Sequence, residues 1–87
     1  METRRICNYI VEIEPDEFHV DFKIYNDNGF GFPEEHLKFN GYVKWDGCSN
    51  WRILGEGYQF HFCEPEDAMN LAKLIGELHK VAEEFLP

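Results

Sequence analysis

The stretch that decides the fold is residues 17–25, EFHVDFKIY. Phe18, Val20, Phe22 and Ile24 fall on one side of an extended chain, and Glu17, His19, Asp21, Lys23 and Tyr25 on the other. A period of two over nine residues is the geometry of a strand with one face buried. Upstream, residues 6–14 put Cys7, Tyr9, Val11 and Ile13 on one face and Asn8, Glu12 and Glu14 on the other, with Ile10 out of phase. Pro15-Asp16 reads as the turn between these two strands. Downstream, Asn26-Asp27-Asn28-Gly29 is a strong turn signal, because Asn and Gly accept positive φ. Residues 36–46 then alternate again, Leu37, Phe39, Val43 and Trp45 inward and His36, Lys38, Asn40, Tyr42, Lys44 and Asp46 outward. Gly41 falls on the inner face, where it marks a bulge or a close crossing. Asp46-Gly47 signals another hairpin, Trp51 and Ile53 a short strand, and Gly55-Glu56-Gly57 a turn. Tyr58, Phe60 and Phe62 finally alternate with Gln59, His61 and Cys63.

After residue 63 the period changes. Glu64-Pro65-Glu66-Asp67 has Pro where the first turn of a helix tolerates it, and carboxylates where the dipole favours them. Ala68, Leu71, Ala72, Ile75, Leu78, Ala82 and Phe85 recur at steps of three and four, which predicts an amphipathic helix near 65–86. Gly76 inside it costs about 1 kcal/mol against Ala and points to a close contact or a bend. The expected fold is α+β: a two-layer domain over 1–87, with a mostly antiparallel sheet of four or five strands followed by one C-terminal amphipathic helix. Its expected core is Phe18, Val20, Phe22, Phe39, Val43, Phe60, Leu71, Ile75, Leu78 and Ala82.

Eighty-seven residues make one small domain, which buries only about 60–65% of the surface its unfolded chain exposes. Eight basic residues against 17 acidic ones leave a net charge of −9. That excludes general DNA or RNA binding, which needs surplus Lys and Arg to displace counterions, and anchoring to an anionic membrane. No apolar run approaches membrane-spanning length, and Met1–Arg5 leads directly into a strand-like segment, so neither a signal peptide nor a span is expected. Three irregularly spaced cysteines suggest reduced thiols and a cytoplasmic setting.

Motifs that carry chemistry are thin. Gly29-Phe30-Gly31-Phe32-Pro33 lacks the third glycine of a dinucleotide fingerprint, since position 34 is Glu, and it follows a hairpin signal. Phe30 and Phe32 either fold back on the core or form an exposed aromatic anchor for a protein partner. His61 and Cys63 lie two apart on one strand face, and Cys48 or His36 could join them. Zinc sites usually show four ligands in paired short spacings, so this reading expects no metal and no cofactor. Cys48 with His19 or His61 as base is an equally thin catalytic pair, and no catalytic residue is expected.

Charge is more informative. Residues 1–35 carry a net −6, residues 36–63 a net +1, and residues 64–87 a net −4. Glu83 and Glu84 sit at a helix C-terminus, where the dipole favours cations. Glu34, Glu35, Glu66, Asp67, Glu77, Glu83 and Glu84, with Phe30 and Phe32, are therefore the candidate partner-binding residues, facing a basic protein surface; the plain alternative is a solvated acidic face. The outward sheet face offers a second candidate site. Lys23, Tyr25, Lys38, Tyr42 and Lys44 could stack on and neutralise a nucleotide-like ligand, against a solvated sheet with cross-strand Lys–Asp pairs.

In size, acidity, strand-then-helix layout and lack of catalytic motifs, the chain resembles the small acidic proteins with which bacteriophages inhibit host enzymes or defence systems, anti-CRISPR proteins included. No specific residue carries the resemblance, so it assigns no site. It implies a non-catalytic, stoichiometric inhibitor or adaptor in the host cytoplasm, with a protein partner such as a nucleic-acid-binding or defence protein. A homodimer is also expected, since small domains often add interface to a limited core. The alternatives are a small-ligand or nucleotide sponge using the sheet face or an oligomer seam, and a small enzyme.

Overall fold

Six strands succeed one another and pair in chain order: β1 (Glu2–Ile6), β2 (Tyr9–Pro15), β3 (His19–Asp27), β4 (Pro33–Lys44), β5 (Ser49–Ile53) and β6 (Gln59–Phe62). All neighbours are antiparallel. Two helical segments follow, α1 (Pro65–Leu71) and α2 (Lys73–Glu83). The computed structural model describes residues 1–53, 59–71 and 73–85, without the side chains of residues 36, 59, 60, 67, 70 and 71. The α+β class, an antiparallel sheet followed by a C-terminal helical region, is as the periodicity indicates. Phe60 and Leu71 of the expected core lie outside the described side chains.

One sheet face carries the core. Val11, Ile13, Val20, Phe22, Ile24, Val43, Trp51 and Phe62 meet Ala68, Ile75, Leu78 and Ala82 from the helices, with Phe39 and Phe85 packed at the margin. Trp51 lies across from Gly41 and under Phe22 and Phe39. A Cβ on Gly41 would overlap the Trp51 ring, 2.8 Å from its Cδ2 and closer still to Cε3, and the Asn50 carbonyl. Gly41 is therefore the space the indole occupies, rather than a bulge or a helix crossing. Gly76 does mark a close contact. A Cβ there would meet Met69 Cα at 3.2 Å, so α1 folds tightly back on α2 rather than continuing one straight rod.

The structure corrects several expectations. The sheet gains a strand, because Glu2–Ile6 pairs with β2 through a two-residue turn. Cys7 and Asn8 form that turn at φ 49° and 67°, so Cys7 is exposed rather than on the inner face. A register shift between Ile24 and Tyr25 puts the bulge at Lys38, with Ile24 opposite Phe39 and Tyr25 opposite Leu37. The extra residue turns Leu37 to the open face, in the row of Ile10 and Tyr25. That row explains the phase error at Ile10, which is 2% exposed on the face opposite the main core.

Phe18 and Trp45 obey the alternation yet are 65% and 60% exposed. They stand one residue beyond the His19–Lys44 pair that ends β3 and β4, joined by Trp45 N–H donating to the Phe18 carbonyl at 3.4 Å. The helices pack on the middle of the sheet and leave that end uncovered. Facing inward and being covered are separate conditions.

Candidate functional site

The β3–β4 loop is built by two short side chains. Asp27 Oδ1 accepts from the N–H of Gly29 at 2.8 Å and of Gly31 at 2.9 Å, and Asn28 Oδ1 accepts from Phe30 N–H at 2.8 Å. Asn28 N–H donates to the Phe32 carbonyl at 2.8 Å, closing the loop. Gly29 and Gly31 supply φ of 97° and 86°, a region side chains with a Cβ rarely enter. Hydrogen bonds from Gly31 and Gly29 hold the Asp27 carboxyl below its ordinary range. Arg5 Nε stands 3.0 Å from Asp27 Oδ2, a contact of charge rather than an aligned hydrogen bond. The outcome is a fixed loop with Phe30 and Phe32 84% and 65% exposed. Glu34 and Glu35, at the start of β4, are exposed beside it.

The helical carboxylates are less uniform. Glu66, Glu83 and Glu84 are exposed, and Glu77 is half-buried with Lys80 Nζ at 3.6 Å; Asp67 lies outside the described side chains. Glu84 binds the Arg4 guanidinium, which also pairs with Glu2 and lies 5.5 Å from the Phe85 ring centre. A cation from β1 thus compensates Glu84 at its unfavourable helix end. Arg4 and Arg5 point to opposite faces of β1 and tie it to the helix end and to the aromatic loop.

The residues proposed for the open sheet face are partly separated. Lys23, Tyr25, Tyr42 and Lys44 occupy successive cross-strand rows of it, but the bulge swings Lys38 towards the Tyr9 ring, 6.0 Å from its centre. Tyr42 stacks obliquely on His19 at 5.1 Å. Two shallow hollows of about 430 and 220 Å³ share Asp21 and Asn40, and Glu12, Glu14 and Lys23 border the larger one. Three carboxylates offset Lys23, Arg52 and the Met1 amino group around the two hollows, which does not make an anion cradle.

No family model, curated protein or solved structure matches this chain. Among the described residues, no helix is long and apolar enough to cross a membrane.

Two polar clusters stand outside these surfaces, the first unread in the sequence and the second named there as a thin metal or catalytic group. The first is buried. Trp51 Nε1–H donates to Ser49 Oγ at 2.9 Å, and Ser49 Oγ lies 2.6 Å from His79 Nε2. The indole can only donate, so Ser49 Oγ accepts from it and keeps its own proton and a second lone pair for the contact with His79 Nε2. Ser49 and His79 are 0% and 2% exposed, so this contact lies inside the fold and holds α2 to the sheet. The sequence signal existed: His79 stands four after Ile75 and three before Ala82, on the apolar stripe of the helix. Its outer edge borders a cleft of about 250 Å³, with Trp45 and Glu83 on the walls.

Burial pushes the His79 pKa down, with Glu83 opposing. The unfolded chain therefore takes up a proton at a higher pH than the native one, and the stabilisation is complete above the ordinary histidine value. It is lost as pH falls from there towards the lowered native pKa. Urea midpoints between pH 8 and pH 5 should fall with acid in the wild type and fall less in His79→Gln; equal slopes would remove His79 as the cause.

The second cluster is Cys48, His61 and Cys63, at the end of the β5–β6 pairing. Neighbouring Cys63, burial and Asp46 push the Cys48 thiol up to about 11, the opposite of what a thiolate nucleophile at neutral pH needs. A comparable group at the β2–β3 turn, Asp16, His19 and Asp21, is closed on itself: His19 Nε2 lies 3.2 Å from Asp16 and 3.1 Å from Asp21. Asp16 also accepts the Phe18 and His19 backbone N–H groups.

Proposed function

We propose that this chain is a non-catalytic binding domain, a stoichiometric inhibitor or adaptor whose β3–β4 loop docks a protein partner. The observation that supports this reading is the loop itself. Two phenylalanines in water are costly unless covered elsewhere, and here backbone hydrogen bonds to the Asp27 and Asn28 side chains hold them outward instead of letting them fold onto the core. A preformed apolar anchor spends little ordering entropy on binding. Glu34 and Glu35 beside it, on a chain of net charge −9, suit a partner with an apolar socket ringed by basic side chains. A cytoplasmic partner, such as a nucleic-acid-binding or defence protein, fits that chemistry. Glu66 and Glu83 extend the acidic field, whereas Glu84 is engaged internally.

Phe30→Ser/Phe32→Ser should leave stability within about 0.5 kcal/mol, since both rings are exposed. It should weaken the partner complex by roughly 30-fold or more, as expected for paired aromatic hot spots. The experiment is capture from bacterial lysate with wild-type and variant bait side by side, then kinetics on the purified partner. Glu34→Lys/Glu35→Lys should slow association at low salt and converge on wild type as the Debye length shrinks below ~10 Å. A partner that binds the serine variant as tightly as wild type would remove the loop from the interface.

A further inference from the structure

Cys48 stands one residue before β5 and Cys63 one residue after β6. Ser49 pairs with Phe62, so the next cross-strand pair outward is Cys48 opposite Cys63, both on the open face. His61 lies two residues back along β6 on that same face. The two sulfurs and a ring nitrogen of His61 lie within 4.8 Å of one another, and Cys63 Sγ is 3.5 Å from His61 Nε2. Ligands around a tetrahedral zinc, with Zn–S about 2.3 Å and Zn–N about 2.0 Å, stand about 3.4–3.8 Å apart. The donors are thus within about an ångström of coordinating distance, on adjacent paired strands that already fix their spacing. All three cysteines are free thiols.

From this geometry we propose that Cys48, His61 and Cys63 form a zinc site, with the Asp46 carboxylate or a water in fourth place. Asp46 is at hand because its Oδ1 accepts the Cys48 N–H at 2.9 Å. Two thiolates and an imidazole select a soft or borderline cation, zinc foremost, over magnesium or calcium. His61 and Cys63 are exposed and Cys48 half-buried, so the ion has an entry path. Bound there, it ties the β4–β5 turn to β6. The site was hard to weigh in the sequence because its ligands do not fall into paired short spacings; the antiparallel register brings together cysteines 15 positions apart. The nearby thiols could instead form a disulfide, and the experiment separates the two.

The reduced, metal-free full chain is titrated with Co²⁺ as a spectroscopic probe and then with Zn²⁺. The expected result is thiolate-to-cobalt charge transfer with tetrahedral visible bands, saturating at one equivalent and displaced by zinc. Zinc should also cut the thiols open to alkylation from three to one, leaving Cys7. At zinc ~100-fold above Kd, a hundredfold shift of the folding equilibrium corresponds to about 2.7 kcal/mol, which raises Tm by about 10–20 °C in a domain of this size. Cys48→Ser and Cys63→Ser should each lose the charge-transfer intensity, and Cys7→Ser should keep it. Circular dichroism checks that the variants fold, and the alkylation count on wild type needs no variant at all. No cobalt bands in the reduced protein, or three thiols still reactive in zinc, would overturn the site, as would bands indifferent to Cys48→Ser. Ready Cys48–Cys63 oxidation in a reduced chain that takes no cobalt would replace it with a disulfide.

Discussion

Trp51→Ala should cost about 3–5 kcal/mol, the usual range for removing a buried large aromatic. A chain of 87 residues holds roughly 4–13 kcal/mol in total, so this one change removes a large share of it. The indole is 1% exposed, 5.8 Å from the Phe22 ring and 6.2 Å edge-on to Phe39, and it fills the space that Gly41 leaves open. Gly41 cannot fill the void, because it has no side chain to move and its backbone is held by both flanking strands. The indole N–H is also the donor that orients Ser49 towards His79, so its loss loosens the bond that holds α2. Equilibrium urea unfolding measures the cost. Fluorescence reports the site independently: Trp51→Phe should remove the blue-shifted emission and leave the red-shifted signal of Trp45, which is 60% exposed. A loss below 1 kcal/mol, or no change in emission maximum, would show that Trp51 is not the centre of the core.

Leu78→Ala should cost about 2–5 kcal/mol. Leu78 is 0% exposed, in the middle of α2 and between Ile75 and Ala82 on the face that meets the sheet. Alanine is at least as good a helix former as leucine, so the helix itself loses nothing, and the whole penalty is packing. The contrast is Lys80→Ala on the exposed side of the same helix, where a change within about 0.5 kcal/mol is expected despite the lost contact with Glu77. If both variants lost the same amount, α2 would not be docked by the face assigned to it.

The architecture was legible wherever the deciding interaction is local. Val20, Phe22 and Ile24 alternate because a strand turns each successive side chain over, and Ala68, Ile75, Leu78 and Ala82 recur because a helix has 3.6 residues per turn. Those periods are properties of the backbone, and they yield the strand-then-helix order without any knowledge of neighbours. A turn after Tyr25 was legible for the same reason, although Asn26 and Asp27 extend β3 and the loop itself spans 28–32, and Phe30 and Phe32 were legible as either core or anchor. Glu2–Ile6 escaped notice because its side chains are mostly polar, and its strand state comes from pairing with β2.

By itself, then, the sequence determined the extended character of most of the sheet, the helical character of its C-terminal end and, except at Ile10 and Leu37, which side of β2, β3 and β4 is apolar. Tertiary structure alone decided coverage and company. Phe18 and Trp45 face the helix side and still meet water, because a helix has finite length. One extra residue at Lys38 sent Leu37 through the sheet to join Ile10 and Tyr25, since a shift of one reverses every facing in a period of two. Ser49 and His79, 30 positions apart, meet because α2 packs on the sheet face that bears Ser49. Cys48 meets Cys63 because the antiparallel register places them opposite each other. Such contacts follow from how segments dock, and no pattern within a single segment encodes them.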